Sequence, residues 1–171
     1  MRRRLYLPRD LTFRPVTEAD HPLLYQIQRE RYANPVANIA GMAADTLPTY
    51  ARHQAFLRGR PYRVHYVVAV QDDLRGTVDV GTINLDRDHV LGCFLLSPWV
   101  GRGIGVAACY KLFQAEGPPI RAFINPANRP SWRTVERLGM QRFETLPGRL
   151  GFELVGPPID PYTTIRSRTP C

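Results

Sequence analysis

Residues 90–113 join two apolar runs through a turn that carries three glycines and an arginine. The first run, 90–96, is typical of a buried strand. The second run, 106–113, lacks the alternation of a strand and predicts a helix packed on several sides. Glycine tolerates left-handed backbone conformations and lets a ligand approach the main chain closely. The sequence therefore predicts a strand that passes into a helix through a turn whose amides are accessible.

The order of the predicted elements defines the fold class. Residues 64–70 alternate with a period of two and are mainly apolar on both faces, as in a central strand. Acidic turns at 72–73 and 86–88 separate this run from two further runs, so the three form an antiparallel meander. We predict a single α/β sheet, mixed but mostly antiparallel and flanked by helices, in the order β-α-α-β-β-β-α-β-α-β-β. The predicted helices cover residues 18–31, 45–56, 104–116 and 129–138, and the predicted strands cover residues 11–16, 64–70, 77–85, 90–96, 120–124, 141–145 and 150–155.

The length of 171 residues suits one domain with a single core. We assign residues 1–156 to this domain and residues 157–171, which are rich in proline, threonine and arginine, to a C-terminal tail outside the core. No apolar run reaches the roughly 18–20 residues that cross a bilayer. Polar residues and Pro8 follow the basic start, which argues against a secretory signal. We therefore expect a cytoplasmic protein with no membrane partner.

Cysteine usage and charge say little about partners. Cys93 and Cys109 lie in the two apolar runs and Cys171 ends the sequence, so we predict reduced thiols, no disulfide framework and no metal site. The net charge is +8, and 22 of the 23 basic residues are arginine. Arginine suits phosphates and carboxylates. The basic residues are scattered, however, so a nucleic-acid partner is not favoured.

The glycine turn has the chemistry of an anion site. Gly101, Gly103 and Gly105 leave the backbone open, and the N-terminus of the following helix adds a partial positive charge. Arg102 adds a full one. The Gly-Lys-Ser/Thr of a Walker loop is absent, and the spacing differs from the dinucleotide fingerprint G-x-G-x-x-G. We expect a phosphate ligand, most plausibly a diphosphate, and the alternative is a tight turn that merely needs glycine.

With this element order, residues 101–105 resemble motif A of the GNAT superfamily of N-acetyltransferases. Asn128, Ser131 and the pair Leu138-Gly139 are similar to that family's second signature, and the resemblance covers roughly residues 11–155. The pattern looks most like ribosomal-protein N-terminal acetyltransferases and nucleotide-sugar N-acetyltransferases. It implies acetyl-CoA as co-substrate, direct acetyl transfer to an amine in a ternary complex, and sometimes a homodimer. The residues implied to bind acetyl-CoA are Leu95, through its backbone amide, Gly101, Arg102, Gly103, Ile104, Gly105, Val106 and Asn128.

Three family positions carry unusual residues. Val100 stands where motif A usually begins with Arg or Gln, Val135 stands at the usual Tyr, and Val90 stands at a frequent Glu. The usual proton-handling groups are therefore missing. Ser131 becomes the candidate acid for the leaving thiolate, and the alternative is a small polar residue in the first turn of a helix. Asn128 is equally suited to cap that helix.

For the general base, His89 is the first candidate, because the ordinary pKa of histidine, about 6.5, leaves it often neutral at pH 7. The alternative is a surface histidine at a strand entry. Asp86 and Asp88 are second choices, although turn carboxylates more often serve the turn. Positioning of an already neutral amine is a route that needs no base. An acyl-cysteine route through Cys93 or Cys109 is disfavoured, because neither has a base at readable spacing.

We therefore predict an acetyl-CoA-dependent N-acetyltransferase that acts on a primary amine, on a protein N-terminus or an amino sugar. Residues 29–42 are expected to form the acceptor side, with a solvated helix end as the alternative. Two other functions stay open. One is an acetyltransferase directed at nucleic acid, such as a toxin that acetylates aminoacyl-tRNA. The other is a non-catalytic CoA-binding module.

Overall fold

The computed structural model describes residues 4–37 and 46–163. Four strands form the first sheet in the order β1-β2-β3-β4, and every neighbouring pair is antiparallel. Three strands form the second sheet in the order β5-β7-β6, also antiparallel. The strands are β1 (Leu11–Pro15), β2 (Tyr62–Asp72), β3 (Gly76–Asp86), β4 (Leu91–Leu95), β5 (Ile120–Ile124), β6 (Gln141–Leu146) and β7 (Arg149–Leu154).

The two sheets meet where β4 lies beside β5. A single parallel bridge joins Val90 to Arg121, and the Arg121 amide donates to the carbonyl oxygen of His89 over 3.0 Å. Beyond this bridge the described residues of β4 and β5 do not pair, so the two strands diverge towards their carboxyl ends. The predicted single sheet is thus divided into two antiparallel sheets joined at one edge, while the predicted fold class and element order are confirmed.

Four α-helices flank the sheets: α1 (His21–Ala33), α2 (Tyr50–Arg58), α3 (Ile104–Glu116) and α4 (Arg129–Arg137). Helices α3 and α4 close one face, where Leu112 and Phe113 of α3 and Val135 of α4 join the main core. Helix α1 covers the other face of the first sheet and packs against α2, β3 and β4. The divergence between β4 and β5 therefore lies between these two helical faces.

Two helix starts differ from their predicted positions. Residues Glu18–Asp20 form a 3₁₀ turn and α1 begins only at His21. Helix α2 begins at Tyr50 and not at residue 45, which lies outside the described residues. The reason is local, because the residue before a proline avoids helical geometry and Pro48 sits within the predicted first turn. The Thr49 hydroxyl then caps the helix by accepting from the Arg52 amide over 3.3 Å.

Part of the predicted tail packs on the domain. The Ile159 amide donates to the Leu138 carbonyl oxygen over 3.0 Å, and the Arg137 guanidinium donates to the Pro161 carbonyl oxygen over 3.0 Å. The Tyr162 ring lies 6.1 Å from that of Tyr110, centroid to centroid, and packs against the core. The expected position of residues 157–171 outside the core is therefore corrected for this segment, and residues 164–171 lie outside the described residues.

A buried carboxylate fixes the entry into α1. Asp20 accepts two hydrogen bonds from the Arg14 guanidinium, at 2.9 and 2.7 Å, and further bonds from the amide and hydroxyl of Thr17. The bonds from Arg14, followed by those from Thr17, outweigh burial and lower the pKa of Asp20 to about 2. This arrangement includes the Thr17–Asp20 capping interaction that the sequence predicts.

The Asp20 network makes folding stability pH-dependent in a defined direction. Because the pKa of Asp20 is lower in the folded chain, its contribution is complete above pH 5 and is lost as the pH falls through about 4 towards 2. Asp20→Asn is expected to lower the free energy of unfolding by about 2 kcal/mol at pH 7. Urea titrations between pH 2 and pH 7 measure this, and the more exposed Asp79→Asn is the control with a smaller effect. Equal slopes for wild type and Asp20→Asn between pH 4 and pH 2 would contradict the assignment.

Candidate active site

The opening between β4 and β5 presents unpaired backbone groups. The Asp86 amide donates to the Val90 carbonyl oxygen and the Leu96 amide to the Val80 carbonyl oxygen, so alternate residues of the β4 segment face β3. In an antiparallel ladder the residues between them point their amides and carbonyls the other way. Beyond the bridge at Val90 these are Cys93 and Leu95, and their backbone groups face the opening. This supports the predicted use of the Leu95 amide and adds Cys93, which the sequence analysis missed.

The glycine turn lies at the carboxyl edge of β4. A 3₁₀ turn, Ser97–Trp99, leads into it, and Gly101 and Gly103 both take left-handed backbone conformations with φ near +77° and +78°. The first hydrogen bond of α3 runs from the Ala107 amide to the Gly103 carbonyl oxygen over 3.0 Å. The amides of residues 104–106 precede it and have no partner within the helix. The predicted anion site therefore coincides with the open amides at the N-terminus of α3.

The three glycines of the turn have different roles. A Cβ atom on Gly103 would lie 3.2 Å from the Tyr6 carbonyl oxygen, and its positive φ already favours glycine, so the fold itself requires this residue. A Cβ atom on Gly105 would meet only the Leu95 side chain, at 3.9 Å. Gly105 has no positive φ. Its missing side chain leaves space at the mouth of the opening that the fold alone does not need.

Arg102 lies against the wall of the turn. Its guanidinium stacks on the Trp99 ring at 4.8 Å from the centroid, and its carbonyl oxygen accepts from the Tyr6 amide. The Arg102 Nε atom is buried, and no described residue forms a hydrogen bond with it. Val100, at the position where the family usually has Arg or Gln, is 51% exposed. Arg102 is thus held beside the open amides with hydrogen-bonding capacity unused.

Asn128 and Ser131 lie at the start of α4, which follows the carboxyl end of β5. The Asn128 side-chain oxygen accepts from the Ser131 amide over 3.4 Å, so the capping role is observed. The Ser131 hydroxyl is half-buried and takes no part in the cap. Because β4 and β5 run parallel, their carboxyl ends share one edge, which brings Asn128 and Ser131 to the edge that holds the glycine turn and Leu95. Val135, at the usual Tyr position, is buried in the core.

His89 lies at the opposite edge. It precedes β4, and its Nδ1 atom is 3.0 Å from the carbonyl oxygen of Pro119, which precedes β5. Both residues line a shallow cavity of about 410 Å³ beside the bridge that holds the two strands together. Strand β4 alone spans about 13 Å at 3.3 Å per residue. The structure therefore separates His89 from Ser131 and the glycine turn.

The two aspartates near His89 serve the turn. The Asp86 carboxylate accepts from the amides of Asp88 and Val90, at 2.9 and 2.8 Å. This is the side-chain-to-backbone pattern of an Asx turn. Asp88 itself is exposed and lines the same cavity as His89. Neither carboxylate lies at the edge that holds the glycine turn.

Two residues of the predicted acceptor segment, Glu30 and Arg31, connect α1 to β4 and to the turn that follows it. Glu30 accepts from the amide and hydroxyl of Ser97, at 2.8 and 2.7 Å, just before the glycine turn. Burial opposes ionisation of Glu30, but the bonds from Ser97 outweigh it and lower the pKa of the carboxyl group. The Arg31 guanidinium lies 4.9 Å from the centroid of the Phe94 ring. Residues 38–42 of the predicted acceptor segment lie outside the described residues.

The two cysteines of the apolar runs face each other between β4 and α3. The Cys93 thiol beside it, together with complete burial, raises the pKa of the Cys109 thiol well above its usual range. A thiol that stays protonated is a poor nucleophile. This disfavours an acyl-cysteine route through Cys109.

The described segments, 4–37 and 46–163, contain no group of three or more His, Cys, Asp or Glu side chains suited to hold a metal ion. Among the same residues, no helix combines the length and apolar character needed to cross a membrane.

The residues of this edge fit the diphosphate and arm of acetyl-CoA. The open amides of residues 104–106 and the unused Arg102 Nε offer hydrogen-bond donors to phosphate oxygens. Gly105 leaves room for close approach. The β4 amides and carbonyls that face the opening offer an unpaired strand edge to the amide groups of the arm.

Comparisons with known proteins agree with this geometry. A family model described as an acetyltransferase (GNAT) domain matches residues 10–141. A ribosomal-protein-alanine N-acetyltransferase from Brucella melitensis has 19% identity and a TM-score of 0.62, with 84% of this chain and 98% of that chain covered. A nucleotide-linked sugar GNAT, FdhC, has 12% identity and a TM-score of 0.66, covering 88% and 89%. The microcin self-immunity acetyltransferase MccE, in complex with acetyl-CoA and AMP, has 17% identity and a TM-score of 0.62, covering 85% and 92%. No curated protein sequence is significantly similar to this chain.

Proposed function

The chain belongs to the GNAT acetyltransferase family, and we propose that it transfers the acetyl group of acetyl-CoA to a primary amine, on a protein N-terminus or an amino sugar. One observation carries the proposal: an open strand edge on β4 leads directly to a glycine turn with free helix amides. Fold relatives include a ribosomal-protein-alanine acetyltransferase and a nucleotide-linked sugar GNAT, which supports both acceptor classes. The free thiols Cys93 and Cys109 suit a reducing compartment such as the cytoplasm.

The residues at the carboxyl edge have separate roles in the reaction. The amides of residues 101–106, with Arg102, hold the diphosphate, and Asn128 meets the arm of the co-substrate. Acetyl-CoA supplies the thioester. The Leu95 amide, already aimed into the opening, stabilises the negative charge that develops on the acyl oxygen, and one such donor contributes about 3 kcal/mol. The Ser131 hydroxyl gives a proton to the leaving sulfur as the C–S bond breaks, and the serine oxygen regains a proton from the attacking nitrogen, which has formed the new C–N bond.

The remaining step is the loss of a proton from the amine. His89 stays a prediction, because the structure places it at the other edge of β4. Its position favours the route in which the amine binds in its neutral form and is held close to the acyl carbon. Such positioning alone lowers a barrier by about 7–11 kcal/mol. We therefore attribute most of the rate acceleration to the binding and orientation of the acceptor, and not to a general base.

A thiol-release screen tests the function. The purified protein is incubated with acetyl-CoA and a panel of peptides with free N-termini, amino sugars, polyamines and aminoacyl-tRNA, and free thiol is followed with a chromogenic reagent. A reaction without amine corrects for the protein's own cysteines. We expect amine-dependent release with a peptide or an amino sugar. Release with no member of the panel would contradict the proposal, and release with aminoacyl-tRNA alone would replace it by the nucleic-acid-directed alternative.

A further inference from the structure

The side chain of Asn84 is a buried polar group whose hydrogen bonds are not used within the fold. Asn84 lies in the middle of β3 and is 5% exposed. No described residue forms a hydrogen bond with its carboxamide. Thr82, two residues away on the same face, is equally buried but its hydroxyl donates to the Tyr66 carbonyl oxygen over 3.0 Å. The carboxamide atoms are not sealed from solvent, so a partner from outside the fold can reach them.

The Asn84 carboxamide lies directly over Gly92. These two residues are partners in the β3–β4 ladder. A Cβ atom on Gly92 would lie 2.7 Å from the Asn84 Oδ1 atom and 2.9 Å from Nδ2. Gly92 does not have a positive φ, so its backbone alone does not require glycine. The missing side chain at 92 is instead the space that the carboxamide occupies.

Gly92 marks the point where the opening begins. It lies two residues beyond Val90, which forms the bridge to Arg121. Because the register of two parallel strands advances by one residue on each strand, Phe123 is the counterpart of Gly92 on β5. Cys93, the next residue, directs its backbone groups into the opening. The carboxamide thus stands at the inner end of the opening, on the first-sheet side.

The carboxamide also lies on the face from which an acceptor enters. Asn84 shares its face of the first sheet with Thr82 and Phe94, since directly paired residues of neighbouring strands point the same way. Phe94 carries the stacked Arg31 of α1, so this is the α1 face. The opposite face is closed by α3 and α4, whose side chains form the core. An amine therefore reaches the opening past Asn84.

We propose that Asn84 is the acceptor-binding residue of the site, and that its Oδ1 atom accepts a hydrogen bond from an N–H of the incoming primary amine. This inference rests on the proposed function. An amide oxygen accepts without removing the proton, so it holds a neutral amine with its lone pair free to attack. The same contact explains the unused carboxamide, because the acceptor supplies its partner. It also gives the site a polar contact for the amine that does not depend on His89.

Two substitutions test the contact. Asn84→Leu replaces an unpartnered carboxamide by an apolar group of similar shape, which is neutral or stabilising for a fold. We expect its melting temperature to be unchanged or higher. We expect kcat/KM for a peptide with a free N-terminus, or for glucosamine if that is the active amine, to fall 10- to 30-fold. KM for acetyl-CoA should stay within twofold. Asn84→Ser, which keeps an acceptor oxygen, should recover part of the loss.

Thr82→Val is the matched control. It removes a hydroxyl of equal burial on the same strand and face, but one whose bond is internal. It should lower the melting temperature and leave the KM of the amine within twofold. Equal amine kinetics for Asn84→Leu and wild type would overturn the inference alone. A parallel loss in Asn84→Leu and Asn84→Ser, with a lower melting temperature in both, would assign Asn84 a structural role instead. A wild-type protein without thiol release would remove the proposed function and this inference with it.

Discussion

Gly105→Asp is expected to bind acetyl-CoA at least 100-fold more weakly than the wild type, while unfolding at the same or a higher temperature. The added carboxylate enters the space that the missing side chain leaves at the mouth of the opening. There it faces the position that the proposed function gives to the diphosphate, and two like charges about 5 Å apart in partly buried surroundings repel by on the order of 3 kcal/mol. A repulsion of this size corresponds to about a hundredfold decrease in affinity. In the free protein the same charge stabilises the N-terminus of α3, by about 0.3–1 kcal/mol.

The opposite signs of the two effects make this experiment decisive. Calorimetry with acetyl-CoA and thermal unfolding without it are measured on the same samples. Gly105→Ala is the control, since it adds a methyl group without charge and reduces the conformational freedom of the unfolded backbone. It should raise stability slightly and weaken binding by less than the Asp variant. Unchanged acetyl-CoA affinity in Gly105→Asp would contradict the placement of the diphosphate at this turn.

Ser131→Ala is expected to lower kcat about 100-fold without changing stability. General acid catalysis contributes 10²–10⁴-fold, and this hydroxyl is the candidate acid for the leaving sulfur. The N-cap of α4 uses the Ser131 amide and not the hydroxyl, so alanine keeps the cap intact. Steady-state kinetics should show the loss in kcat with KM for acetyl-CoA within twofold. The free energy of unfolding should change by less than about 0.5 kcal/mol.

A second hydroxyl on the same helix provides the comparison. Thr134 donates its hydroxyl to the Pro130 carbonyl oxygen over 2.8 Å, inside the helix. Thr134→Val therefore removes a hydroxyl one turn away from the site and should leave kcat within twofold. A kcat for Ser131→Ala within threefold of wild type would mean that water, and not this serine, protonates the thiolate. The acetyl-CoA site itself would be unaffected by that outcome.

Local sequence patterns predicted the element order because they report period, turns and caps, which are properties of neighbouring residues. The Thr17–Asp20 capping interaction and the cap at Asn128 were correctly anticipated on that basis. The same patterns treated Gly101, Gly103 and Gly105 alike. Only the fold distinguishes them, since Gly103 is crowded by the Tyr6 carbonyl oxygen from the distant N-terminal segment whereas Gly105 borders free space.

The candidate base shows more clearly what local sequence patterns cannot predict. His89 and the glycine turn are close in sequence, but a strand between them is extended, so it carries them to opposite edges of the sheet. Asn84 was overlooked for the complementary reason. Its proposed role depends on its pairing with Gly92 across the β3–β4 ladder and on the divergence of β4 and β5. Neither feature produces a periodic pattern or a fixed residue spacing in the sequence.

The sequence by itself determined the order of strands and helices, the open amides at the start of α3 and the family to which they belong, because each depends on residues within about one helical turn or strand. The tertiary structure decided which of these groups meet. It divided the sheet at β4 and β5, separated His89 from Ser131, and left the Asn84 carboxamide without a partner beside the opening. Such juxtapositions arise from packing between segments far apart in the chain, and packing is set by the whole core.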